Sequence, residues 1–101
     1  MKHSAIYCEG YQDRAFLSAW LDHLCQKRGT IVRPLKDPKE RDIDARNAHA
    51  KQVGQRQILI VACEGDGDIT SQAAKFLKKN SEKLDNLMVV VDSDGIANRA
   101  T

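Results

Sequence analysis

Residues 57–63, QILIVAC, run directly into 64–68, EGDGD. Seven nearly all-apolar residues halted by an acidic, glycine-rich turn read as a strand covered on both faces. Thr70 or Ser71 can cap the helix that follows, with Ile69, Ala73, Phe76 and Leu77 as its stripe. Two shorter runs repeat the pattern of strand and acidic stop. Residues 4–8, SAIYC, end in Glu9-Gly10, and residues 87–91, LMVVV, end in Asp92-Ser93-Asp94-Gly95.

Between the first strand and the central one, Asp13 can cap a helix whose stripe is Phe16, Leu17, Trp20, Leu21 and Leu24, with Gly29 as its stop. Residues 30–35, TIVRPL, read as a second strand, kept short or placed at an edge by Pro34. Residues 36–42, KDPKERD, form a charged loop. Asp42 or Asp44 then starts a polar helix to about Val53, closed by Gly54, with a thin apolar face of Ile43, Ala45, Ala48, Ala50 and Val53. This alternation predicts one α/β domain over residues 1–101, a Rossmann-like parallel four-stranded sheet flanked by helices. In such sheets ligands bind beyond the carboxyl ends of the strands, where three of the four expected strands stop at acidic turns.

Composition narrows the function classes. With 101 residues, 42% apolar and 30% charged, the chain has the makeup of a single globular domain. No apolar run is long enough for a bilayer, so no membrane partner is expected, and the polar N-terminus does not fit a secretory signal. The expected location is the cytoplasm. Cys8, Cys25 and Cys63 lie in apolar stretches without CxxC spacing and read as buried, reduced thiols. His3, His23 and His49 show no zinc-binding spacing. A net charge of +2 is too small to argue for nucleic acid by itself. Trp20 reads as core. Tyr11 and Gln12 either touch substrate or shape the turn after Glu9. Lys36, Lys39 and Arg41 are the candidate phosphate contacts, set against a merely solvated loop.

Asp92-x-Asp94 at the end of an apolar strand places two carboxylates on one side if the chain stays extended. Such a pair repels itself unless a cation or proton intervenes. Mg²⁺ takes few protein carboxylates and fills its remaining positions with water and phosphate oxygens. Glu9, ending a neighbouring strand, is a suitable third member, while Gly10 and Gly95 let backbone and substrate approach closely.

The stretch IYCEGYQDRAFLSAWL (residues 6–21) resembles the opening motif of Toprim domains, and LMVVVDSDG (87–95) resembles their DxD motif. The middle turn, IVACEGDGDITSQAAKFL (60–77), is similar to the glycine-containing turn before a helix in the overcoming-lysogenization-defect nucleases and small stand-alone members. The resemblance spans nearly the whole chain and rests on a handful of residues. It implies that Glu9 is a general acid/base or a metal ligand, that Asp92 and Asp94 are metal ligands, and that Asp13 assists a second metal, with a helix cap as its other reading. It implies Mg²⁺, with Mn²⁺ as substitute, a nucleic-acid partner, DNA or RNA, and a setting in DNA repair or phage defence. Glu64, Asp66 and Asp68 carry no firm family role. The family usually continues past its DxD with a helix and basic residues. Here seven residues follow Asp94, so the chain reads either as a minimal version or as a piece of a longer one, with a homodimer or a multidomain setting both open.

Three functions compete on these residues. The first is Mg²⁺-dependent phosphodiester cleavage or nucleotidyl or phosphoryl transfer, with nuclease favoured. The second is a non-catalytic module that holds Mg²⁺ and nucleic acid as a subunit or regulator. A phosphorelay receiver is the third. It needs a phosphoacceptor aspartate at the end of the middle strand and a lysine at the end of a late one, and neither is present.

Overall fold

The computed structural model describes residues 1–64 and 68–91. Five strands and two helices make up the described chain: β1 (Lys2–Cys8), α1 (Tyr11–Lys27), β2 (Val32–Pro34), β3 (Ala48–Val53), β4 (Arg56–Ala62), α2 (Ile69–Asn80) and β5 (Asn86–Val90), with a 3-10 turn at Pro38–Glu40. The strands form one sheet in the order β2-β3-β4-β1-β5. β1 pairs in parallel with both β4 and β5, whereas β3 is antiparallel to β2 and to β4. The fold is α/β, with a mixed five-stranded sheet in place of the expected parallel four-stranded one.

The added strand is β3, where the sequence reading expected a polar helix. Ala48 and Ala50 are good helix formers and poor strand formers. Pairing overrides that preference, with Ala48 opposite Val61 and Ala50 opposite Leu59 on the most apolar strand of the chain. Gly54, expected to close a helix, instead opens the two-residue turn of a β3–β4 hairpin at φ 59°, a conformation that favours glycine. Two six- or seven-residue runs flanking Gly54-Gln55 were the missed hairpin signal.

Side chains alternate across β1 and β4 as pleated strands require. Ala5, Tyr7, Leu59, Val61 and Cys63 face α2, packing with Ala73 and Phe76. Ile6, Cys8, Ile58, Ile60 and Ala62 face α1, packing with Leu17 and Leu21. Phe16 and Trp20 stay exposed, at 68% and 48%, which corrects the core placement of Trp20. The segment between β2 and β3 crosses the α2 face and is anchored there by Ile43, which is 2% exposed. Gln57 holds the segment from below: its amide accepts from Asp42 N and donates to Glu40 O.

Caps fix the helix ends. Gly29, at φ 71°, ends α1 as expected: Gly29 N donates to Gln26 O at 3.1 Å and Thr30 N to Cys25 O at 2.8 Å. Asp13 does not cap α1. Gly10 takes that position without a side-chain hydrogen bond, and Asp13 lies in the first turn. Asp68, not Thr70 or Ser71, caps α2, accepting from Thr70 N at 3.0 Å and from Ser71 Oγ at 3.1 Å.

Ile43→Ala should lower unfolding stability by about 3 kcal/mol, the usual cost of emptying a buried aliphatic site. Urea denaturation measures it. A change below about 0.5 kcal/mol would show that the crossing segment is not packed as described.

Candidate functional site

The parallel trio β4-β1-β5 brings its carboxyl ends to one edge. Cys8 lies level with Ala62 on one side and Val90 on the other. Cys63 N donates to Cys8 O at 2.8 Å, extending the β1–β4 match one residue further. By continuation of the same register, Glu9 lies beside Cys63 and Val91, at the start of the loop into α1. Asp92, Asp94 and Gly95 follow Val91 in sequence, and they fall outside the described residues, as do Gly65, Asp66 and Gly67.

Glu9 and Asp13 share this edge, with Asp13 Oδ2 lying 3.9 Å from the point a Cβ on Gly10 would occupy. Among the described residues neither carboxylate has a salt bridge or a side-chain hydrogen bond. Glu64 differs. Its carboxylate takes Arg46 Nε at 3.2 Å and Asn47 Nδ2 at 3.3 Å. Its backbone is clamped by Gln72, whose amide accepts from Glu64 N at 2.9 Å and donates to Glu64 O at 3.0 Å. Glu64 therefore holds the β4 end against α2, and Asp68 is a helix cap. Glu9 and Asp13 have no such ties among the described residues. No group of three or more His, Cys, Asp or Glu side chains placed to hold a metal occurs among the described residues, which exclude the DxD.

The basic candidates separate. Lys36 and Lys39 are exposed. The Lys39 backbone N–H donates to Asp37 in the 3-10 turn. Arg41 braces its own loop, giving Nε to Leu35 O at 2.9 Å and Nη1 to Asp44 at 3.0 Å. Lys36 and Arg41 line a cavity of about 280 Å³ with His49 and Lys51. The structure adds two other sources of charge. A larger groove, about 490 Å³, opens beside Glu64 and is lined by Arg46, Lys75 and Lys79. Arg14, one residue past Asp13, reaches Asn47 O at 2.8 Å. Its place directly after the Glu-Gly-x-x-Asp run was the available signal.

Local fields agree with this placement. Burial pushes the Cys8 thiol up to about 11, helped by the charge of Asp13 and opposed by Arg14 and a backbone hydrogen bond at Gly10. Cys63 is also raised, first by burial, with Asp68, Glu9 and Glu64 adding to it against a hydrogen bond from the Glu64 backbone. All three cysteines are buried and none is in a disulfide among the described residues, as expected from sequence. Among the described residues no helix is long and apolar enough to cross a membrane.

Comparison with family models, curated proteins and solved structures finds no match for this chain.

Because its folded-state pKa is raised, the neutral Cys8 thiol contributes stability that is fully present below pH 9.0 and lost as pH rises toward 11. Native protein should therefore resist iodoacetamide at Cys8 at neutral pH and react once unfolded in urea. Mass spectrometry reads the adducts, and rapid native labelling of Cys8 would contradict its burial.

Proposed function

We propose that this chain is a Toprim-like, Mg²⁺-dependent domain that cleaves nucleic-acid phosphodiesters, with Mn²⁺ able to substitute. One observation carries the reading. The two ladders of β1 set Glu9, whose carboxylate has no partner among the described residues, level with residue 91, and the sequence then supplies Asp92 and Asp94. A lone carboxylate at that place is ordinary. A free one beside a strand that runs directly into Asp-Ser-Asp-Gly suits a cation with few protein ligands and several phosphate or water oxygens.

Glu9, Asp92 and Asp94 would hold the ion, and Asp13 stands near enough to Gly10 to assist a second. A bound Mg²⁺ supplies neutralisation of developing phosphate charge and a lowered pKa for bound water. Glu9 also suits proton transfer, since no salt bridge with a described residue competes for it. Gly10, with no side chain of its own, leaves the approach to Asp13 open. The Arg46, Lys75 and Lys79 groove offers a polyanion a path to the same edge.

Glu9→Gln, and separately the Asp92→Asn/Asp94→Asn pair, should each reduce Mg²⁺-dependent cleavage of DNA or RNA about 10²-fold or more with the fold retained. Calorimetric Mg²⁺ and Mn²⁺ titration of the same proteins should lose binding with the double change. Full cleavage by either variant would refute the site. Metal binding without cleavage in the wild type would turn the reading to a non-catalytic module.

A further inference from the structure

Arg14 is a half-buried cation that meets no carboxylate among the described residues. Its Nη1 donates to Asn47 O at 2.8 Å, and its guanidinium carbon lies 4.8 Å from the centre of the Tyr11 ring. Its Nε is occluded and has no acceptor. Among the described residues no carboxylate pairs with it, whereas Arg33, Arg41, Arg46 and Lys51 each have one. The contrast with Lys51 is informative. Lys51 is 6% exposed and is matched by Asp22 at 2.5 Å. A guanidinium drawn out of water without a counter-ion costs free energy. The fold retains that cost at Arg14, one residue from Asp13 and five from Glu9, neither of which pairs with it.

A second observation is independent of the first. α1 starts at Gly10 with no side-chain cap, so the N–H groups of its first turn and the positive end of its dipole are open at the same edge. A third records the local field. His49 has its pKa lowered, first by burial and then by Arg14, Lys51 and Arg41. Burial is the largest of these causes, and the three cations add to it. Each of these features calls for an anion with several acceptor oxygens.

We propose that Arg14, together with the uncapped start of α1, binds the non-bridging oxygens of a nucleic-acid phosphate beside the Glu9 edge. The proposal rests on the nucleic-acid reading above and deepens it by naming a phosphate contact that uses no metal. The Asn47 carbonyl and the Tyr11 ring hold the guanidinium plane in advance, which limits the entropy lost when the fork meets a phosphate. Nη2 has no acceptor among the described residues and is the donor left for a ligand. Tyr11 thereby shapes the cation rather than only the turn.

The test is binding of a short single-stranded oligonucleotide, as DNA and as RNA, in EDTA, so that no cleavage intervenes. Arg14→Gln should weaken binding about tenfold and reduce the slope of log affinity against log salt by about 0.7, one phosphate contact fewer. Arg14→Lys keeps the charge and loses the fork, and it should fall between the two. Thermal melting and Mn²⁺ titration accompany each variant. Unchanged Mn²⁺ affinity with weakened oligonucleotide binding supports the proposal. Equal oligonucleotide affinity and equal salt slope in Arg14→Gln overturn it, and retained Mg²⁺-dependent cleavage in that variant shows that the carboxylate reading stands without it. A wild type that binds neither oligonucleotide also overturns it, and the wild-type Mn²⁺ titration then shows whether the carboxylate site fails as well.

Discussion

Everything at the candidate site depends on β1 lying in parallel between β4 and β5. Parallel partners run in one direction, so their carboxyl ends come out on the same side. The two ladders share Cys8, which is level with Ala62 and with Val90. Both faces of this trio must be covered, and the alternation of β1 divides the work. Ala5 and Tyr7 pack toward α2, Ile6 and Cys8 toward α1. A one-residue slip of β1 would turn each of these side chains to the wrong face and carry Glu9 out of line with residue 91. The packing that stabilises the sheet is thus the same packing that positions the carboxylate.

How much of this the amino-acid sequence reveals depends on where burial decides structure. β1, β4 and β5 are apolar, short and bounded by turn residues, and they are readable as strands. Pro34 marks β2 as brief and at an edge, which it is. β3 was readable only from the hairpin signal around Gly54-Gln55, not from its own composition. Its Ala48 and Ala50 gain strand character only from the partners that β4 supplies, and those partners are not local in an alanine-rich segment. The cap of α1 was misjudged for a related reason: Asp13 suits a cap chemically, but the chain turns into the helix at Gly10. Exposure of Trp20 and Phe16 is a third departure. The sheet-facing stripe of α1 is narrower than its apolar residues suggested, because Ser18 O and Asp22 on its flank are engaged with Lys51.

The candidate site divides along the same line. Glu9, Gly10 and Asp13 stand out in the sequence because a turn at a strand end needs residues of this kind only when the backbone must be approached closely. The roles of Glu64 and Arg41 could not be read that way. Both are charged residues in loops and look available, yet the structure ties Glu64 to Arg46, Asn47 and Gln72, and ties Arg41 to Leu35 O and Asp44. A charge becomes structural through partners distant in sequence: seventeen positions separate Glu64 from Asn47.

That sorting gives the free charges their meaning. Lys51, the buried ion of the described chain, is paired with Asp22. Where the fold needs a strand end held, it uses a carboxylate with two donors, as at Glu64. Among the described residues Glu9, Asp13 and Arg14 receive neither treatment although they lie close together in the chain, and opposite charges that close could have neutralised each other. Their separation has a geometric cause. Arg14 is directed to Asn47 O and the Tyr11 face, so it cannot also close on Glu9 or Asp13. A sequence that satisfied only stability would let the guanidinium pair with a carboxylate and would place a serine or aspartate at the cap of α1. Local rules broken together at one edge, with no partner among the described residues, are what the proposed ligand site rests on.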